Sequence, residues 1–242
     1  MKINEKCIGC GSCEPYCPMN AIRKTSNEKK YFIDLDECVE CGICKEFSNC
    51  PKDAIENTDL DHTRSIRKEF SDPKAPHVSS TGTYGRGTAE MKTNEVTGLI
   101  RKGYTALSLE IGRPGMGAKF SDIEKITKKL AKKKVTFAPE SPLTYLIQNQ
   151  DTGEIKKDYL NEKVLSAIVE FVIKTDRLAE ILKAIKEVSS EIDTVFSLCI
   201  AEKEQGNTDF PILKIAEKQG FKVSINGKTN MGLGRPLYKE AQ

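Results

Sequence analysis

Cysteine is the residue type in this sequence whose number and spacing point most directly to chemistry. The chain has nine cysteines, and eight of them lie within the first 50 of its 242 residues. Thiolates are strong ligands for soft metal centres, whereas disulfides are rare where thiols are kept reduced. No apolar leader segment precedes the first cysteine, so we expect a cytoplasmic protein with metal-bound thiolates rather than a disulfide framework.

The eight cysteines form an internal repeat. Each half has a C-x2-C-x2-C run, then a Cys-Pro step and a short apolar segment. Three residues lie between the last two cysteines of the first half, and five lie between those of the second. The first half supplies Cys7, Cys10, Cys13 and Cys17, and the second supplies Cys38, Cys41, Cys44 and Cys50.

Two sets of four cysteines are sufficient to hold two metal centres. A C-x2-C-x2-C loop bends around a 4Fe-4S cube and supplies three of its four thiolates. Gly11 and Gly42 follow the second cysteine of each run, where a small residue lets backbone amides approach a cluster. Zinc also accepts four thiolates with C-x2-C spacing, so the residue types alone leave it open as an alternative. A segment this short buries little surface, and bound metal must therefore supply much of its folding free energy.

The run C-x2-C-x2-C-x3-C-P resembles that of the bacterial two-cluster ferredoxins, and the resemblance covers residues 1–57. It implies two 4Fe-4S clusters and transfer of single electrons. In that family the fourth cysteine of each run ligates the cluster of the other half. The longer second run departs from the pattern without removing a ligand. The implied ligands are Cys7, Cys10, Cys13 and Cys50 for the first cluster, and Cys38, Cys41, Cys44 and Cys17 for the second.

The remainder of the chain has a different composition. Residues 58–95 are polar and rich in Pro, Ser and Gly, which predicts an irregular linker or a segment that wraps a neighbouring domain. Residues 96–242 show regular hydrophobic periodicity. Strands are predicted at 104–111, 164–173 and 194–201, and helices at 120–133 and immediately after Asp176. Between the first helix and the strand at 164–173, residues 135–137 and 144–147 offer strand material that two prolines interrupt.

The order β-α-β-β-α-β over residues 104–202 is that of a split βαβ sandwich. We therefore expect an α+β chain: an N-terminal dicluster ferredoxin module, residues 1–57, and a C-terminal βαββαβ domain, residues 96–242. In such a domain two helices cover one face of an antiparallel sheet, and the other face can be solvated.

Local signals refine the C-terminal prediction. Ser121 and Glu124 form an S-x-x-E capping box, and Asp176 is the expected cap of the second helix. The tail is predicted to add a short helix after Pro211, a strand at 221–225 and a turn at 226–227. The basic run 132–134 is expected to close the first helix, where cations favour the negative end of the dipole.

Other candidate sites are weaker. The glycine-rich loop 112–117 lies between a strand and a helix, where exposed amides bind anions. This loop is somewhat similar to that of ACT-type regulatory domains, which implies binding of a small anionic metabolite. Gly-Arg motifs at 85–87 and 234–236 are alternative anion clamps or plain turns. The sequence around His62 and His77 does not outline a hydrolytic site, and Cys199 is expected to be a buried thiol.

Charge and composition exclude other classes. A net charge of +3 without a basic, aromatic-rich stripe argues against nucleic-acid binding, and no apolar run is long enough for a membrane span. No flavin or nucleotide fingerprint is present, so we expect an electron carrier rather than an enzyme. Its partners would be redox proteins, with a homodimer through the C-terminal sheet as a further hypothesis. The alternatives are a redox-coupled regulator that binds a metabolite, and an electron-input subunit of a larger reductase.

Overall fold

The computed structural model describes residues 1–26, 29–82, 84, 98–113, 115–203 and 211–224. No helix in these ranges is long and apolar enough to cross a membrane. The helices are α1 (Ile43–Phe47), α2 (His62–Ser71), α3 (Phe120–Lys132), α4 (Leu178–Ser189) and α5 (Pro211–Lys218). The strands are β1 (Lys2–Ile3), β2 (Ile22–Lys24), β3 (Tyr31–Ile33), β4 (Ile55–Glu56), β5 (Tyr104–Ile111), β6 (Ala118–Lys119), β7 (Thr136–Phe137), β8 (Ile147–Asn149), β9 (Glu154–Ile155), β10 (Lys163–Val164), β11 (Ala167–Lys174) and β12 (Phe196–Glu202).

The cysteine-rich segment folds as two interleaved halves. Strand β1, before the first cysteine run, pairs antiparallel with β4, which follows the second run. Strands β2 and β3 pair antiparallel between the two runs. Apolar side chains from both halves, among them Ile22, Ile33 and Ile55, share a small core with the cysteines. The pairing therefore brings the end of each half beside the other half.

Helix α2 occupies part of the segment predicted to be irregular. That prediction is wrong over His62–Ser71, because Ile66 and Phe70 lie one helical turn apart and are both buried in the main core. Asp61 caps the helix by accepting a hydrogen bond from the Arg64 amide at 2.6 Å. Most of the other α2 residues are polar, which explains why composition alone suggested a linker.

Four of the described strands form one sheet in the order β12-β5-β11-β7, with every neighbouring pair antiparallel. The helices α3 and α4 bury apolar stripes against this sheet. The shared core includes Leu107 and Leu109 of β5, Ile126 of α3, and Ile181 and Ile185 of α4. Burial of these side chains supplies the main hydrophobic stabilisation of this region.

The sheet differs from the expectation of one solvated face. Ala106 and Val172, on the face opposite to the helices, are 1% and 6% exposed and form a separate small core with Ile100 and Ala138. On the same face the Glu170 carboxylate is also buried. Strands β5 and β11 are therefore covered on both faces.

The local cap predictions fail in the C-terminal region. The side chain of Glu124 accepts a hydrogen bond from the Ile155 amide at 3.1 Å, and α3 begins after Lys119 without a side-chain cap. Asp176 lies in a short 3-10 turn, and α4 begins after Arg177 without a side-chain cap. Long-range pairing with β9 has replaced the capping box that the local pattern suggested.

Three strand predictions also need correction. The predicted strand 164–173 divides into β10, which pairs with β6, and β11, which pairs with β5 and β7. Residues 144–146 form a 3-10 turn rather than a strand. In the tail, α5 agrees with the prediction, whereas residues 221–224 are not a strand. Residue 225 and the predicted turn at 226–227 lie outside the described residues.

Candidate metal centre

The eight N-terminal cysteines lie in two groups around two cavities. Cavity I is lined by Cys7, Cys10, Cys13 and Cys50. Cavity II is lined by Cys17, Cys38, Cys41 and Cys44. Each cavity therefore combines three cysteines of one run with the Cys-Pro cysteine of the other run. All nine cysteines of the chain are free of disulfide bonds.

Short turns explain how neighbouring cysteines reach different cavities. A 3-10 turn, Glu14–Tyr16, separates Cys13 from Cys17, and the Cys17 amide donates to the Glu14 carbonyl. In the second half, Cys44 lies within α1, and Cys50 follows that helix. A 3-10 turn in the first half and a short helix in the second thus separate the fourth cysteine from the first three, and the fourth lines the other cavity.

The two Cys-Pro steps adopt the same local structure. The Ala21 amide donates to Cys17 Sγ at 3.1 Å, and the Ala54 amide donates to Cys50 Sγ at 3.4 Å. The preceding residues, Asn20 and Asp53, have positive φ values of 52° and 46°. Asn and Asp tolerate this left-handed conformation better than most residues. The signal Cys-Pro-x-Asn/Asp-Ala was thus present in both halves, although its role was not predicted.

Glycine has a conformational role in the cysteine loops. Gly11 and Gly42 have φ values of 76° and 75°, in the left-handed region that glycine adopts without strain. Gly9 also has a positive φ, and a Cβ there would lie 1.7 Å from the Lys29 carbonyl oxygen. The repeat pointed to Gly11 and Gly42, whereas Gly9 was missed because the matching position of the second half is Glu40, which has a positive φ of 57° without being glycine.

The two cavities differ in their exposure to solvent. At cavity I, Cys10 is exposed and Cys13 is buried, whereas at cavity II none of the four cysteines is exposed, and Cys38 and Cys44 are buried. Burial, with a smaller contribution from neighbouring thiolates, raises the pKa of Cys44 to about 12. The pKa of Cys41 is raised to about 11, again mainly by burial. A hydrogen bond with the Ser12 hydroxyl lowers the pKa of Cys10.

A buried polar cluster beside cavity II was not anticipated. Glu40, between Cys38 and Cys41, is 3% exposed and accepts hydrogen bonds from Arg64 Nε at 2.9 Å and Nη2 at 2.7 Å. Arg67 is also buried and bonds to the Cys38 carbonyl. Both arginines are on α2, so the unpredicted helix is the element that places positive charge beside this cavity.

The other candidate sites form ordinary structural contacts. In the loop 112–117, the amides of Met116 and Gly117 both donate to the Gly112 carbonyl, which fills a turn rather than opening an anion site. Within this loop, residue 114 lies outside the described residues. The thiol of Cys199 is half-buried, 3.9 Å from a Glu110 carboxylate oxygen, so the expectation of a fully buried thiol is wrong.

The histidines lie outside both cavities. His62 Nε2 is 3.0 Å from the Tyr159 hydroxyl, and the ring of buried His77 packs edge-on against Phe70. The Gly-Arg motifs at 85–87 and 234–236 lie outside the described residues.

Comparison with known proteins addresses the cysteine-rich segment. Residues 6–54 match the 4Fe-4S dicluster domain family. The chain is 41% identical over 60 residues to ferredoxin 7Fe of Hydrogenibacillus schlegelii, which covers 24% of this chain and 72% of that relative. The chain belongs to the dicluster ferredoxin family. The identity is 59% over 34 residues with 4Fe-4S ferredoxin FdxA of Gottschalkia acidurici, covering 14% of this chain and 57% of that relative.

A further relative of this dicluster ferredoxin has been named as a complex subunit. It is pyruvate synthase subunit PorD of Methanocaldococcus jannaschii, 42% identical over 52 residues. The match covers 22% of this chain and 57% of that relative. Thus the chain spans little more than half the length of two of these three relatives. Each of the three matches covers less than a quarter of the chain, so most of its residues lie outside the similarity.

The residues of the dicluster ferredoxin segment fit its cofactors, two 4Fe-4S clusters. Each cavity is lined by four thiols, which is the donor type and number that one such cluster needs. The family match favours iron-sulfur clusters over the zinc alternative. In the described residues, no group of three or more His, Cys, Asp or Glu side chains is arranged to hold a single metal ion.

Proposed function

We propose that this dicluster ferredoxin relays single electrons through its two clusters to or from a partner oxidoreductase. The observation that carries the proposal is the presence of two cavities, each lined by three cysteines of one run and one of the other. We further propose that Cys7, Cys10, Cys13 and Cys50 hold one cluster, and that Cys38, Cys41, Cys44 and Cys17 hold the other.

This arrangement favours electron transfer between the two clusters, because one short turn connects the two cavities. Cys13 at cavity I and Cys17 at cavity II are joined by a single turn, so the two clusters would be separated by little more than this backbone. Each cluster, when bound, supplies a one-electron redox step. The protein holds the thiolates in fixed positions, and its burial of Cys38 and Cys44 limits the access of water.

A second candidate is an electron-input subunit of a larger reductase. This is favoured by the likeness to PorD, whose name describes it as a subunit of pyruvate synthase. The catalytic site would then be on another chain. No observation favours the regulator hypothesis to the same degree, because the loop proposed to bind a metabolite uses two of its amides internally.

We propose a domain organisation in which the dicluster domain is joined to a second domain that binds the redox partner. Residues 1–57 would form the dicluster domain, and residues 96–242 a domain built on a βαββαβ split sandwich. The antiparallel order β12-β5-β11-β7 supports this topology, with α3 and α4 packed on one face. Within residues 58–95, α2 would join the two domains. The C-terminal domain would bind the redox partner, or a second copy through the half-exposed edge strand β12.

Anaerobic reconstitution tests the proposed cofactor chemistry. The protein should take up about eight irons per chain, with broad visible absorbance that dithionite bleaches. A Cys199→Ala variant is the matched control. Because Cys199 lines neither cavity, the iron content of this variant should be unchanged. An iron content of four or fewer in the unmodified chain, or a colourless zinc form, would contradict the proposal.

Anaerobic affinity purification from the native host separates the two candidates. A free carrier should exchange electrons with a purified oxidoreductase and elute as a separate species at moderate salt. A subunit should remain with other chains in a fixed stoichiometry through gel filtration. A protein that elutes alone and exchanges no electrons with the purified oxidoreductase would argue against both.

A further inference from the structure

Arg67 of α2 is buried, with 7% of its side chain exposed, although it lies outside the segment that matches the family. Its Nη1 atom is within hydrogen-bond distance of three backbone carbonyl oxygens: Leu35 at 3.0 Å, Asp36 at 3.0 Å and Cys38 at 2.9 Å. Burying a guanidinium is costly unless its donors are satisfied. Here the loop that leads into the second cysteine run provides the acceptors.

The other side of the same guanidinium faces the C-terminal region. Arg67 Nε forms an ion pair with the carboxylate of Glu162, whose side chain is 15% exposed. A neighbouring ion pair joins Lys163 to Glu37. Arg67 therefore contacts the Cys38 loop and residues far along the chain at the same time. Because Arg67 and Glu162 have low exposure, their charges are weakly screened by solvent and salt.

Further contacts from the C-terminal region reach cavity II. The Leu165 amide donates to the Ser71 hydroxyl at 2.8 Å, and Leu165 packs against the core that contains the cysteines. Gly117 lies against Met19, which lines cavity II. The C-terminal region thus covers the side of the module where cavity II lies.

We propose that Arg67 is a positioning residue for the electron-transfer chemistry, and that its ion pair with Glu162 couples the redox properties of cavity II to the C-terminal region. This inference rests on the proposed function. Arg67 fixes the carbonyls of the Cys38 loop and adds positive charge beside a cysteine of this cavity, while Glu162 adds a compensating negative charge. Since reduction adds an electron, nearby positive charge favours the reduced state and nearby negative charge opposes it.

The pair therefore predicts shifts of opposite sign in the full-length, reconstituted protein. Arg67→Gln should lower the midpoint potential of one of the two clusters, and Glu162→Gln should raise the potential of that same cluster. Arg67→Lys keeps the charge and should restore a potential near that of the unmodified protein. The other cluster should keep its potential in every variant, because cavity I does not contact this pair.

The measurement is an anaerobic potentiometric titration followed by electron paramagnetic resonance. Arg23→Gln is the matched control, because Arg23 forms an exposed ion pair with Asp34 in the same module and solvent screens it. Its titration should match that of the unmodified chain. If Arg67→Gln fails to assemble clusters, a raised potential in Glu162→Gln together with an unchanged potential in Arg67→Lys decides the question.

Unchanged potentials in Arg67→Gln and Glu162→Gln, shifts of the same sign in these two variants, or equal shifts at both clusters would overturn the inference. These results would leave the proposed function intact if the unmodified chain binds about eight irons. Absence of two clusters from the unmodified chain would instead contradict the proposed function before any variant is considered.

Discussion

Cys17 and Cys50 are the residues that distinguish crossed ligation from two independent cysteine motifs. Each follows one run in the sequence but lines the cavity of the other run. Loss of either thiolate should therefore damage the cluster whose other three cysteines lie in the opposite half of the sequence. Substituting Cys17 or Cys50 therefore distinguishes crossed ligation from ligation by the four cysteines nearest in sequence.

We predict that Cys17→Ser and Cys38→Ser lose the same cluster. Both variants should fall from about eight to about four irons and show the same remaining paramagnetic spectrum when reduced. Cys50→Ser and Cys7→Ser should form a second matching pair. Matching of Cys17→Ser with Cys7→Ser instead would show that ligation is not crossed.

Gly9 is a glycine at which the backbone leaves very little room for a side chain. Its φ is 72°, and an added Cβ would lie 1.7 Å from the Lys29 carbonyl oxygen. Gly103 has a similar φ of 79°, but a Cβ added there would have nothing within 4 Å of it. Comparing the two glycines therefore separates backbone strain from steric overlap.

We predict that Gly9→Ala lowers stability well beyond the effect of Gly103→Ala. The left-handed conformation alone costs an alanine roughly 1–2 kcal/mol, and only Gly9→Ala adds displacement of the Lys29 backbone. The temperature at which the visible absorbance is lost measures the difference in holoprotein stability. Equal losses in the two variants would show that the close approach to Lys29 has no energetic consequence.

At the scale of elements, helix caps show why local patterns are insufficient. Asp61 accepts a hydrogen bond from the Arg64 amide, which lowers the pKa of the Asp61 carboxyl, and the Thr63 hydroxyl contributes further. Ser121 belongs to a sequence pattern typical of a capping box, yet α3 has no side-chain cap. Thus Asp61 caps α2, a helix that was not predicted, whereas Ser121 does not cap α3, a helix that was predicted.

We predict that Asp61→Ala destabilises the protein, whereas Ser121→Ala has little effect. Loss of the Asp61 side chain leaves the Arg64 amide without its acceptor at the start of α2. Thermal unfolding followed by far-ultraviolet circular dichroism, with both variants fully loaded with iron, checks the difference. A larger loss in Ser121→Ala would show that the capping box forms in solution.

The cysteine groups could be predicted because the ligand types and spacing are local, and the repeat is explicit. The apolar stripes of α3 and α4 could also be predicted, since side chains such as Ile126 and Ile185 recur at helical spacing. Helix α2 was missed because it buries charged Arg67 beside apolar Ile66 and Phe70. Its charge is satisfied by distant carbonyls and by Glu162, which no local window contains.

At the scale of the whole molecule, the contacts between the cysteine-rich segment and the rest of the chain give the two cavities different environments. Contacts from Leu165, Gly117 and α2 lie on the side of cavity II. At cavity I, Cys10 is exposed and the neighbouring Ile8 side chain is 58% exposed. A reagent in solution therefore reaches the cysteines of cavity I by a shorter route than those of cavity II.

We predict that limiting oxidant or a bulky iron chelator removes the cluster of cavity I before that of cavity II. Exposure of Cys10 lets the reagent approach its cluster directly, whereas buried Cys38 and Cys44 must first be uncovered by local opening. Anaerobic samples taken during the reaction should pass through a species with the spectrum of Cys10→Ser, the variant that lacks a cavity I ligand. Passage through the spectrum of Cys41→Ser, or simultaneous loss of both signals, would show that the C-terminal region gives cavity II no protection.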